Sequence, residues 1–177
     1  MIDAREYGKA LLELACENGN DAEVRDEVNL VRESLQNHPA YITLMDTPAV
    51  STEEKLQMLG NAFDGADPML KNFLCILCEK RAFYQFGACA DAFMANYDEK
   101  HGILRATALT AVPMSKKQQE ALRKKLAEMT GKTVELSNQT DPAVLGGVIL
   151  RYGGVQLDDS LHTRLETLRR SLAETIV

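Results

Sequence analysis

DPAVLGGVILRYGGVQLDDS, residues 141–160, is the stretch whose reading decides the fold. Two Gly-Gly pairs bracket the apolar run VILRY, and an acidic pair closes the segment. Such glycines either cradle a phosphate or shape a strand. A dinucleotide loop needs the spacing GxGxxG between a strand and a helix. Gly146-Gly147 and Gly153-Gly154 have a different spacing, and no βαβ unit follows them. Sterics account for both pairs. Gly153-Gly154, between VILRY and VQL, supplies the positive φ of a tight hairpin turn. Gly146-Gly147 lets the strand bend or another backbone approach closely.

Working outward from the hairpin, Leu161, Leu165, Leu168 and Leu172 recur at i, i+4, i+7, i+11 and predict a final helix, with Asp158 and Asp159 beside Ser160 as its cap. Upstream, ILRATALTAV is β-compatible and closed by Pro113. Ser115 to Gln118 then forms a capping box for a helix carrying Leu122, Leu126 and Met129, which Gly131 ends before the strand KTVEL. The C-terminal part is thus a small mixed β-α-β-β-α unit.

From Asp3 to about His101 the grammar is helical. Tyr7, Leu11 and Leu14 make one stripe, and Val24, Val28, Val31 and Leu35 make a second. Pro39 opens a short helix, Ser51-Thr52-Glu53-Glu54 is a capping box, and Asp67-Pro68 is a cap followed by proline at the first helical position. The helix after Asp67 is apolar at Leu70, Phe73, Leu74, Ile76, Leu77 and Cys78, wider than one core-facing stripe requires. A sixth helix carries Phe86, Cys89, Ala90, Phe93 and Tyr97 and stops at Gly102. The expected fold is α+β and mostly helical: a five- or six-helix bundle over residues 1–104, then the mixed domain over 105–177.

Composition excludes several functions. The net charge of −6 lacks the basic footprint of a nucleic-acid binder. Ala143 to Leu150 is the longest apolar run, far short of the roughly 18 residues that span a bilayer. The opening MIDAREYGKALLEL carries Asp3 and Glu6 where a signal peptide needs positive charge, so the chain is expected to stay in the compartment of its synthesis. Gly131-Lys132-Thr133 resembles the tail of a phosphate loop, but Leu126 stands where that loop needs glycine. Cys75 and Cys78 have the spacing of a zinc half-site inside an apolar helix with no second pair, Cys16 and Cys89 are single, and His38, His101 and His162 are scattered. Ser160 and His162 sit two apart and would not face one another on a helix. Neither a catalytic residue, a cofactor nor a metal emerges. Arg164, Arg169 and Arg170 with Glu166 read as a solvated face or as a partner surface.

Two segments together, REYGKALLELA (5–15) and DPAVLGGVILRYGGVQLDDSLHTRLETLRRSL (141–172), resemble the opening and closing signatures of the delta subunit of bacterial rotary ATP synthases, the family of the mitochondrial oligomycin-sensitivity-conferring protein. Two positions depart from the family pattern: Gly8, where alanine is usual, and Asp158-Asp159-Ser160, where Asp-Gly-Ser is usual. The resemblance implies a non-catalytic stator subunit, present once in the complex at the cytoplasmic face of the bacterial membrane without entering it. Its N-terminal bundle would hold the N-terminal helix of an alpha subunit, and its C-terminal domain would join the b subunits of the peripheral stalk. On the family pattern, Tyr7, Ala10, Leu11 and Leu14 of the first helix with Leu70, Phe73, Leu74 and Leu77 of the fifth are the candidate groove, and Phe73→Asp is expected to weaken binding more than it unfolds the domain. Gly146, Gly147, Arg151 and Arg164 are the candidates on the stalk side. A free-standing adaptor joining two helical partners is the alternative reading.

Overall fold

The computed structural model describes residues 2–142, 144, 146–153 and 155–158. These residues form two compact units, one up to Tyr97 and one from Asp98. The expected final helix, with Arg164, Ser160 and His162, lies outside the described residues.

The first unit is built from six helices: α1 (Ala4–Asn18), α2 (Asp21–Asn37), α3 (Pro39–Asp46), α4 (Thr52–Ala62), α5 (Pro68–Glu79) and α6 (Phe86–Lys100), the last entered through a 3-10 turn at Phe83–Gln85. Side chains satisfy the amides that a helix start leaves without partners. Ser51 Oγ accepts from Glu54 N at 3.2 Å while Glu54 returns a carboxylate to Ser51 N, the reciprocal box expected at α4. Asp67 caps α5 through Met69 N at 2.8 Å. Its other oxygen accepts from Asn20 Nδ2 at 2.7 Å, and its own N–H donates to Glu27. The end of α1 therefore lies beside the start of α5, so these two helices run antiparallel. Asp46 accepts from the backbone of both Phe83 and Tyr84 and fixes the 3-10 turn.

The core is fully apolar along α2 at Val24 and Val28, along α5 at Leu70, Leu74 and Leu77, and at Phe83 and Phe93. Each such side chain contributes about 1.5–3 kcal/mol by leaving water. One charge is buried among them. Lys55 is only 3% exposed and donates to Thr47 O just past the end of α3, where a cation meets the negative end of the helix dipole.

On α1 the buried set is Gly8, Leu11, Leu12 and Ala15, not the stripe of Tyr7, Leu11 and Leu14 that periodicity suggests. Gly8 explains the difference. A Cβ there would stand 2.4 Å from Cys89 O and 2.8 Å from Ala92 Cβ, so α1 and α6 approach backbone to backbone. The departure from alanine thus has a steric cause in this chain.

The second unit holds β1 (Ile103–Thr110), α7 (Lys116–Thr130), β2 (Thr133–Thr140), β3 (Val148–Tyr152) and β4 (Val155–Asp158). The hairpin gives two full strands, so the sheet has four, one more than the β-α-β-β-α outline, in the order β2-β1-β3-β4. β1 and β2 pair in parallel across the α7 crossover, and β3 is antiparallel to both β1 and β4. The core is Ala106, Ala108, Leu126, Val134 and Leu150, with α7 on one face of the sheet. Asp158, expected to cap the last helix, is instead the final residue of β4, paired with Ile149. Asp98 in the last turn of α6 meets Arg105 Nε of β1 at 2.6 Å, within this second unit.

Candidate functional site

An open apolar groove of about 360 Å³ runs between α1 and α5. From α1 it is lined by Glu6, Tyr7, Ala10, Leu11 and Leu14, and from α5 by Met69, Asn72, Phe73 and Ile76. Each set repeats at i, i+3, i+4, i+7 within its helix, a second stripe beside the one that faces the core. Tyr7 and Phe73 meet across the floor with ring centroids 6.4 Å apart, and Phe73 meets Phe86 beneath at the same distance. Leu14 is 50% exposed at the open edge.

Of the eight residues expected here, Tyr7, Ala10, Leu11, Leu14 and Phe73 line the groove. Leu70, Leu74 and Leu77 do not; all three are fully buried in the bundle core. The reason is angular: the core takes positions 70, 74 and 77 of α5, which leaves 69, 72 and 76 to face the groove. Met69, Asn72 and Ile76 are the residues that sequence reasoning missed, and their spacing with Phe73 was the available signal. Phe73 serves both surfaces and is only 7% exposed, so Phe73→Asp would unfold the bundle rather than report on the groove alone.

The thiols nearby are chemically quiet. Burial pushes the Cys89 thiol up to about 11, helped by the charge of Asp3. Burial also raises Cys75, with Glu79 adding to it, and raises Cys78 against the opposing pull of Lys55. Thiols held protonated are poor nucleophiles and poor metal ligands. Among the described residues no group of three or more His, Cys, Asp and Glu comes together. Lys132 follows Gly131, whose N–H bonds to Ala127 O at 2.8 Å as the C-cap of α7.

In the second unit, Gly146 and Gly147 carry φ of 147° and 85° in the approach to β3, a conformation L side chains rarely adopt. Arg151 is exposed on β3, donates to Gln156 Oε1 at 2.9 Å and borders a shallow hollow of about 350 Å³ with Arg105, Tyr152 and Gly153. Arg164 lies outside the described residues.

The chain thus carries a helical bundle with an open apolar groove, followed by a small mixed sheet covered by a helix on one face. The family model described as the ATP synthase delta (OSCP) subunit matches residues 4–172, and the chain belongs to that family. Proteins named ATP synthase subunit delta are similar along nearly their whole length: that of Anaeromyxobacter sp. (strain Fw109-5) is 33% identical over 97% of this chain and 97% of its own. That of Alkaliphilus oremlandii (strain OhILAs) is 29% identical over 98% and 97%. Among solved structures, a chain of the Toxoplasma gondii mitochondrial ATP synthase hexamer superposes with a TM-score of 0.75 at 26% identity, covering 98% of both chains. The protein is accordingly a non-catalytic subunit of an ATP synthase complex. No helix among its described residues is long and apolar enough to cross a membrane.

Proposed function

We propose that this chain is the stator link between the catalytic head and the peripheral stalk, its N-terminal bundle gripping the N-terminal helix of an alpha subunit in the α1/α5 groove. The observation that carries this reading is the groove itself. Tyr7, Ala10, Leu14, Met69 and Ile76 present apolar surface that the bundle does not need for its own core. Two helices side by side with such a furrow accept a third amphipathic helix.

The C-terminal unit joins the b subunits, with Gly146, Gly147, Arg151 and Arg164 on the stalk side. One copy per complex sits at the cytoplasmic face of the membrane, attached through its partners. It performs no chemistry and binds no nucleotide; it keeps the head from turning with the rotor, so that ion flow drives ATP synthesis. A link under torque must be stiff. The contact of α1 with α6 at Gly8, where no side chain intervenes, supports that requirement.

Titration calorimetry with a peptide of the alpha N-terminal segment tests the groove. Leu14→Asp is expected to weaken binding at least about tenfold, because the new carboxylate must lose water inside an apolar contact. Leu14 is half exposed, so the thermal midpoint should move little. A folded variant with unchanged affinity removes α1 from the interface.

A further inference from the structure

The rim of the groove has a sign. Glu6, Glu13 and Glu17 recur at i, i+7, i+11 on α1, alongside Ala10 and Leu14, and all three are exposed. On α5, Glu79 lies three residues beyond Ile76 and is exposed as well. Glu13 is paired with Lys9 at 3.7 Å. Glu6, Glu17 and Glu79 have no ion-pair partner among the described residues. Glu6 lines the groove directly, and by helical spacing the flanking positions carry more carboxylates than ammonium groups, with Lys9 and Lys80 the lysines beside them in sequence.

Helix dipoles do not reverse this sign. Because α1 and α5 run antiparallel, each end of the groove has one positive and one negative terminus, which offset one another. The side-chain charges decide.

We infer that the occupant of the groove is a basic amphipathic helix, one whose apolar stripe is bordered by lysines or arginines that meet Glu6, Glu17 and Glu79. The inference rests on the groove reading above and adds the partner's chemistry to it. Apolar lining supplies affinity, and the carboxylate rim supplies orientation, encounter rate and rejection of acidic helices of the same hydrophobicity. The second apolar furrow, lined by Leu35, Tyr41, Leu44 and Phe63, provides the internal control.

The test uses the full chain, the alpha N-terminal peptide as probe, and the triple variant Glu6→Gln/Glu17→Gln/Glu79→Gln. Wild-type affinity should fall as salt rises from about 50 to about 500 mM, as screening requires. The variant should bind about three- to tenfold more weakly at low salt, with a shallower salt dependence and an unchanged melt. A peptide whose lysines and arginines are replaced by glutamine should lose a similar factor against the wild type. If the triple variant keeps wild-type affinity and salt slope, the rim is electrostatically idle and this inference falls while the groove reading stands. If the peptide fails to bind the wild-type chain, or perturbs Tyr41, Leu44 and Phe63 instead of Tyr7 and Ile76, both fall together.

Discussion

Helix α1 has two flanks that behave in opposite ways. Toward α6 it closes at Gly8: there the backbones meet, and a Cβ would collide with Cys89 O and Phe93 N. Toward α5 it stays open, since Tyr7, Leu14, Met69 and Ile76 stand between the helices and leave a furrow. Residue size on each flank decides between a sealed seam and a receptive one. The same fifteen-residue helix is therefore both a structural strut and one wall of an open apolar furrow.

The largest expected effect lies where the two flanks share a residue. Phe73 is buried between Tyr7 and Phe86, and Phe73→Asp should cost about 3–5 kcal/mol of stability, combining the lost aromatic packing with a buried charge. Urea unfolding measures it. A cost below about 1 kcal/mol would mean that the ring belongs to the groove alone and that the seams are less coupled than described.

A smaller effect is expected at the sealed flank. Alanine gains up to about 1 kcal/mol over glycine in a helix interior, yet here its methyl must push α6 away. With backbone carbonyl as the obstacle, Gly8→Ala should be net destabilising by about 1–3 kcal/mol by urea titration. A stabilised variant would show that α1 and α6 separate without penalty.

The sequence discloses this architecture unevenly. Caps are local chemistry, so Ser51, Asp67-Pro68 and Ser115 mark their helix starts without knowledge of the fold. The flanks of α1 are a different matter. Periodicity detects an apolar stripe but not which of two adjacent stripes faces inward, and the deciding residue, Gly8, carries almost no hydropathy signal. On α5 the family pattern names Leu70, Leu74 and Leu77 for the groove, yet they fill the core.

Polar residues hide structure as well. The second half of β2, Ser137 to Thr140, has no apolar alternation and becomes a strand through its eight-residue parallel register with β1. Asn138 makes that register specific: its amide donates to Ala108 O and accepts from Met114 N, contacts distant in sequence. Lys55 is buried only because Thr47 O awaits it, which composition cannot reveal. The acidic rim is the reverse case, since Glu6, Glu13 and Glu17 could be counted from spacing once the groove was located.

The most direct test of the central claim is a map of the alpha N-terminal peptide on the full chain by amide chemical-shift perturbation. The largest shifts are expected at Tyr7, Ala10, Leu14, Met69, Asn72 and Ile76, the two facing walls of one furrow. Shifts confined to Tyr41, Leu44 and Phe63, with Tyr7 and Ile76 silent, would contradict it and move the grip to the furrow lined by α2, α3 and the end of α4.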